Sequence, residues 1–378
     1  MDRVSYTTFV EIIVLLVAIV AAIGFFSSFS LDDPWFASTD SIHYHQQALG
    51  ACDSPLEPLR RVLDTGSPIN LNWGAIVSIG AIACYLSGEY SDVLVLVTNL
   101  ILFSGILFFY RKVLDNLPIK PSNKRIIIIL FLAQTWLITS LVGLNKEVFS
   151  YIIVGLMALC YLRRSVQLLL LVGLIGGVVK VQFFVFALML IVSQKGVSFK
   201  SQFFVLAILM TVIYQSTNFD IFDAHIYYSR FDYEIRTAKV AEFLNKFIEY
   251  PFGYLLVFPV RLVINLLSGL SPMRISEVNN WNAFAYQFNA FIMSIPSILL
   301  LFKLINHRSC FAYPLVKFFL IYSLLMCLLP FFQLRYFLPL LPIILIILAT
   351  PSPKIIGQEK GSSVKRILIK SSSTSRVI

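Results

Sequence analysis

Asp40, His43, Tyr44 and His45 stand within one short polar stretch, Ser38 to Ala48, soon after the first long apolar run, Phe9 to Phe29. The stretch holds two of the chain's four histidines. If Ser41 to Leu49 is helical, Asp40 and Tyr44 lie four residues apart and share a face. A carboxylate just outside a membrane, on a loop that starts where a helix emerges, suits chemistry on a lipid-linked substrate. The plainer reading is a solvated helix start with Asp40 as its N-cap. On a helix His43 and His45, two apart, point away from one another and make a poor metal pair.

Further polar groups interrupt apolar runs. Asn145-Lys146-Glu147 is a charged tripeptide at the end of two such runs, Lys180 separates two short ones, and Gln333-Leu334-Arg335-Tyr336 precedes Pro339 and Pro342. Ionisable residues at membrane depth are costly and tend to mark function. Plainer readings are a loop between crossings for Lys146, Glu147 and Lys180, and snorkelling to the headgroups for Arg335. Asp220 to Arg236 mixes aromatics and acids and includes His225 and Arg230. That mixture suits a saccharide surface and equally suits a headgroup-level aromatic belt.

Composition says what must position these groups. The chain has 378 residues, 58% hydrophobic and only 13% charged, with a mean hydropathy of +0.82. A soluble domain carries about a quarter charged residues. Many apolar runs approach the ~20 residues needed to span a bilayer, which predicts an all-α, polytopic membrane bundle. Phe9 to Phe29 is too long for a signal peptide's apolar core and is expected to remain as a membrane helix. The net charge of +10 sits in short loops and in the tail, which fits cytoplasmic loops and anionic lipid rather than nucleic acid. The five cysteines, Cys52, Cys84, Cys160, Cys310 and Cys327, include no Cys-x-x-Cys pair; neither a disulfide framework nor a zinc site is expected.

Loop charges set the orientation. Leu31 to Asn72 carries six acids and two bases, whereas Arg111 to Arg125 carries five bases and one acid. Placing every basic cluster inside puts Leu31 to Asn72 outside. Parity then makes Leu71 to Leu86 an interfacial or dipping helix and Val93 to Tyr110 a crossing. Ile126 to Leu144, Val148 to Leu162, Val166 to Val179, Val181 to Val192 and Phe203 to Thr217 follow as crossings. Pro251 to Leu270, with Arg261 inside it, is expected to be re-entrant or interfacial. Ala285 to Leu304, Phe311 to Phe332 and Phe337 to Ala349 complete about ten crossings with both termini inside. Residues 1–350 form one membrane domain, with outer loops at 31–92 and 218–284. Thr237 to Tyr250 looks amphipathic, and residues 351–378 form a basic tail expected to be disordered.

Taken together, the polar sites resemble the GT-C superfamily of integral-membrane glycosyltransferases. Asp40, Tyr44 and Ala48 match an Asp-x-x-x-Tyr-x-x-x-Ala pattern in the first outer loop. Leu71 to Leu86, Gly88 and Tyr110-Arg111-Lys112 follow in the family's order, Glu147 stands where a second acid is found, and Arg335, Tyr336, Pro339 and Pro342 match an Arg-Tyr-x-x-Pro-x-x-Pro signature. The first loop lacks an Asp-Glu pair beside the tyrosine, and the second acid is Glu rather than Asp. Those departures point toward divergent bacterial relatives in surface-polysaccharide clusters.

The resemblance implies transfer of a sugar from a polyprenyl-phosphate or polyprenyl-diphosphate donor to a glycan or lipid-linked acceptor, at the periplasmic face of a bacterial inner membrane. Asp40 would be the base and Glu147 the second catalytic acid. Tyr44, His43, Lys146, Lys180, His225, Arg230, Arg261, Arg335 and Tyr336 are the candidate substrate-binding residues. Cations would stabilise the charge growing on the lipid phosphate, and Arg335 suits it through its planar fork. A divalent metal, Mg or Mn, is left open, with Asp40, Glu147 and His225 as its ligands. A repeat-unit polymerase is the neighbouring alternative. A lipid-linked-saccharide flippase belongs to a different class, and it should show paired halves with corresponding broken helices.

Overall fold

The computed structural model describes residues 16–17, 19–20, 39–64, 71–87, 92–141, 143–216, 243–244, 246–247, 250, 253–267, 281–327 and 336–351. Most of Phe9 to Phe29, nearly all of residues 218–250 with His225 and Arg230, Arg335, and the tail beyond Pro351 lie outside these residues. Among the described residues the protein is all-α, without a strand.

Three helices come first: α1 (Thr39–Gly50), α2 (Glu57–Asp64) and α3 (Leu71–Ser87). They pack on one another. The Trp73 indole donates to the Gln47 side chain, and Leu59 N–H donates to the Ser78 hydroxyl at 3.2 Å. Gly74 lets α2 approach closely, since a Cβ there would lie 2.9 Å from the Pro58 carbonyl oxygen. A disulfide joins Cys52, just past α1, to Cys84 in the last turn of α3. Sequence spacing implied no disulfide framework, and this one bridge corrects that expectation. The spacing of 32 residues carries no local motif, and only the packing of α1 on α3 brings the two sulfurs together. Closing a loop of that length stabilises by roughly 3–4 kcal/mol on the chain-entropy model.

The main bundle follows: α4 (Asp92–Asp115), α5 (Pro121–Leu132), α6 (Thr135–Leu141), α7 (Lys146–Leu162), α8 (Val166–Val179), α9 (Val181–Gln194) and α10 (Phe199–Ser216), then α11 (Gly253–Leu267), α12 (Trp281–Asn306), α13 (Pro314–Met326) and α14 (Leu341–Ala349). Within α4 and α12, Leu94–Asp115 and Gln287–Asn306 are long and apolar enough to cross a bilayer; several further apolar helices are shorter. The run Ile126 to Leu144, expected as one crossing, is instead broken into α5 and α6 at Ala133 and Gln134. Phe337 to Ala349 likewise begins with a 3-10 turn, Leu338–Leu340, before α14. Proline explains that turn: Pro339 and Pro342 have no N–H to give to an α-helical ladder.

Helices α8 and α9 form a hairpin whose whole turn is Lys180. Its backbone is extended (φ −152°, ψ 121°), and it ends one helix and starts the next. The close approach depends on glycines, as at membrane helix interfaces. A Cβ on Gly173 would collide with the Ala187 Cβ, and one on Gly176 would lie 2.9 Å from the Phe183 Cβ. Gly173→Val is therefore expected to cost about 1–3 kcal/mol through overpacking. Thermal unfolding of the detergent-solubilised protein would read this as a lower midpoint, and an unchanged midpoint would mean that the hairpin is not tightly packed.

At the opposite end, the Lys303 ammonium donates to the carbonyls of Ile347, Leu348 and Thr350 at 2.8, 3.0 and 2.6 Å. A cation at a helix C-terminus satisfies the last carbonyls and complements the dipole. Lys303 and the C-terminal end of α14 thus share one end of the bundle.

Candidate functional site

The site starts from a helix break. The segment between α6 and α7 cannot make helical hydrogen bonds, so its backbone needs other partners. Asn99 of α4, buried, supplies two: its amide donates to the carbonyls of Leu141 and Gly143 at 2.8 and 2.9 Å. Asn145 then caps α7, its side chain accepting from Glu147 N–H at 2.9 Å. This fixes Lys146 and Glu147 in the first turn of α7, not in a loop between helices.

Glu147 is 1% exposed and Lys180 is 8% exposed. The Lys180 ammonium donates to both carboxylate oxygens of Glu147, at 2.9 and 3.2 Å. The same ammonium lies 4.2 Å from the centre of the Tyr336 ring, within cation–π range. Tyr336 is held from behind. Leu340 N–H bonds the Phe337 carbonyl in the 3-10 turn, which leaves the Tyr336 carbonyl to accept from the Tyr322 hydroxyl of α13 at 2.7 Å. Tyr336→Leu is expected to weaken the hold on Lys180 by about 1–2 kcal/mol, whereas Tyr336→Phe keeps the ring and should be nearly silent. Unfolding midpoints of the two variants distinguish them; equal losses would show that the ring face is not what matters.

Beside the pair, the Lys146 ammonium lies 6.0 Å from the Tyr44 ring centre. Tyr44 and Ala48 are buried with Ile76, Val77, Val95 and Leu144. Helix α1 therefore packs on α3 by its Tyr44–Ala48 stripe, and Leu144 and Phe149, on either side of the α7 N-cap, join the same cluster. Asp40 lies within α1, Thr39–Gly50. His43 is exposed and bonded to Gln47 at 2.8 Å. Tyr110 of α4 donates to the Pro339 carbonyl at 2.9 Å, joining two further segments of the sequence signature.

The ion pair lies at the head of three helices whose other ends are tied together. Tyr161 and Ser193 share a hydrogen bond of 2.9 Å, and Gln194 donates to the Tyr161 carbonyl at 3.2 Å. With 17 residues in α7 and 14 in each of α8 and α9, the pair stands about 20–25 Å from Arg163, Arg164 and Lys195 at 1.5 Å per residue. Asn99, which braces the break, is seven residues inward of Asp92 at the start of α4, roughly 10 Å. The charges are thus recessed into the bundle rather than set at its rim.

Arg261 is elsewhere: it is buried on α11, and its guanidinium donates to the Cys327 carbonyl at the end of α13 at 2.9 Å. Sequence reasoning did not single out Asn99, Gln134, Tyr151 or Tyr322. Tyr151, one turn below Glu147, donates to the Gln134 side chain at the α5–α6 break. The available signal was a lone amide in an apolar run, at Asn99 and at Gln134. Among the described residues no three metal-ligating side chains form a cluster; of the three residues named for a metal, Glu147 alone has a described side chain, and both of its oxygens accept from Lys180.

Comparison of the chain with protein-family models, curated proteins and solved structures finds no match.

Proposed function

We propose that the protein is a multi-pass membrane glycosyltransferase of the bacterial inner membrane, both termini cytoplasmic, with a site recessed from the outer face. It takes a sugar from a polyprenyl-phosphate or polyprenyl-diphosphate donor and gives it to a glycan or lipid-linked acceptor in envelope polysaccharide synthesis. The observation that supports this most is the ion pair of Glu147 and Lys180 in near-complete burial, with the partly buried Tyr336 ring over the ammonium, beside Lys146 and the helix that carries Asp40 and Tyr44. These residues come from four separated stretches of the chain. Burying an ion pair costs several kcal/mol per ion before the mutual attraction is counted, and intramembrane charges mark function by default.

In this mechanism Asp40 takes the proton of the acceptor hydroxyl. The departing lipid phosphate gains charge as the glycosidic bond forms, and Lys180 stabilises it in a poorly solvated cavity. Glu147 keeps Lys180 charged and aimed before the donor arrives. An ammonium carries three donors, so it can hold a carboxylate and a phosphate oxygen together. Arg335, the chain neighbour of Tyr336, supplies the second cation.

Lipid-linked-saccharide translocation is the second reading, and two observations favour it. The α5–α6 helix is discontinuous, and the ion pair lies inside the bundle rather than at its rim; both are features of transporters. Complementation separates the readings. In a strain lacking the protein, the surface glycan would lose one sugar or branch, restored by wild type but not by Asp40→Asn or Arg335→Ala. A complete but unpolymerised repeat unit would indicate a polymerase. Accumulation of an unaltered lipid-linked saccharide on the cytoplasmic leaflet would replace transfer with translocation.

A further inference from the structure

The disulfide lies in a different part of the molecule from the other cysteines, and its position relative to the site has a consequence. Cys52 and Cys84 tie the end of α1 to the end of α3. Cys160, Cys310 and Cys327 are buried free thiols: Cys160 is near the inner end of α7, and Cys310 is in the 3-10 turn Arg308–Ala312, after the α12 end that holds Lys303. Disulfides persist in oxidising compartments, and thiols persist in reducing ones or in sealed packing. The acidic loop carries the disulfide, and the basic end carries the free Cys310. This ordering agrees with the loop charges but does not depend on them.

The bridge also has a mechanical role. Helix α1 is held to α3 by the Trp73–Gln47 hydrogen bond and by packing of Tyr44 and Ala48. It is a 12-residue helix, short enough to be marginal on its own. The short α2 between the two cysteines is outwardly charged, with two exposed i,i+4 ion pairs, Arg60–Asp64 and Arg61–Glu57, which add little. The covalent tie at Cys52 therefore fixes the end of α1, and α1 presents Tyr44 to Lys146, next to Glu147.

We propose that the Cys52–Cys84 disulfide is an oxidation-dependent latch, which seats α1 over Lys146 and Glu147 once the outer segment has met a dithiol–disulfide oxidase. The exchange balances: the two thiols of Cys52 and Cys84 lose two electrons and two protons to the oxidase disulfide, which becomes a dithiol. Cys52 is partly exposed and Cys84 is buried, so the sulfur of Cys52 is the one a partner thiolate reaches in the folded protein. The latch stands on the geometry alone and holds whether the site transfers or translocates a saccharide.

Two measurements on the full-length protein test it. Denatured without reductant, the protein should take up three maleimide–polyethylene glycol tags, and five after reduction. In spheroplasts a membrane-impermeant phosphine should suffice to release the extra two. Five tags without reductant, or release only in inverted vesicles, would overturn the latch. Hydrogen exchange of purified protein, oxidised against reduced and alkylated, should then show at least tenfold faster exchange over residues 39–50 and 144–150, with 181–194 unchanged. The Cys52→Ala/Cys84→Ala variant should reproduce the reduced pattern, and the reduced wild type carries the result if that variant fails to fold. Unchanged exchange at 144–150 would leave a disulfide that does not act on the site. A positive result here with intact glycan in Asp40→Asn cells would sink the transfer chemistry and leave the latch standing.

Discussion

Lys180→Ala alone should destabilise the bundle by about 3–5 kcal/mol, because it leaves the Glu147 carboxylate charged and buried without its partner. Glu147→Leu alone should do the same by stranding the ammonium. The double variant Glu147→Leu/Lys180→Met should recover most of that loss, since well-packed apolar side chains of similar volume often match or exceed a buried pair in stability. The three unfolding free energies form a cycle, and a strong positive coupling is the expected outcome. Additive losses would mean that the two side chains do not meet. The 2.9 and 3.2 Å contacts to both oxygens and the 1% exposure of Glu147 make the pair the largest single electrostatic commitment among the described residues whose contacts are known.

Asn99→Leu is expected to have the second largest effect, about 2–4 kcal/mol, with no direct contact to Glu147. Its amide serves two carbonyls, those of Leu141 and Gly143, at a point where the helix is interrupted. Each buried acceptor left without a partner costs about 1–3 kcal/mol. The start of α7 should loosen, seen as faster hydrogen exchange from residue 143 to residue 150. Asn99→Asp would keep the shape while replacing the donor by a charge, and should be worse than leucine. A stable Asn99→Leu protein with a protected α7 start would show that the break is braced by something other than this amide.

These two residues illustrate what the sequence could reveal and what it could not. The existence and order of the helices were legible because apolar runs state them directly: Leu71 to Leu86 became Leu71–Ser87, and Phe203 to Thr217 became Phe199–Ser216. Lys180, Glu147 and Tyr336 were legible because each breaks an apolar pattern. Their partnership was not, since 33 residues separate the ionic pair and pairing depends on how α8 and α9 fold back on α7. The break at Gln134 was hidden because an amide between apolar residues does not by itself end a helix, and no proline or glycine marks the place. The disulfide was hidden for a similar reason: Cys52 and Cys84 meet only through the packing of α1 on α3.

Surface glycan in cells that carry the Glu147→Leu/Lys180→Met variant is the most direct test, once the purified variant is shown to unfold at a temperature near wild type. With stability restored, any loss of function belongs to the charges themselves. A glycan that lacks the same sugar or branch as the null strain would show that the buried pair handles the lipid phosphate. A wild-type glycan in those cells would contradict it, and Glu147 and Lys180 would then be a structural pair with the functional site elsewhere.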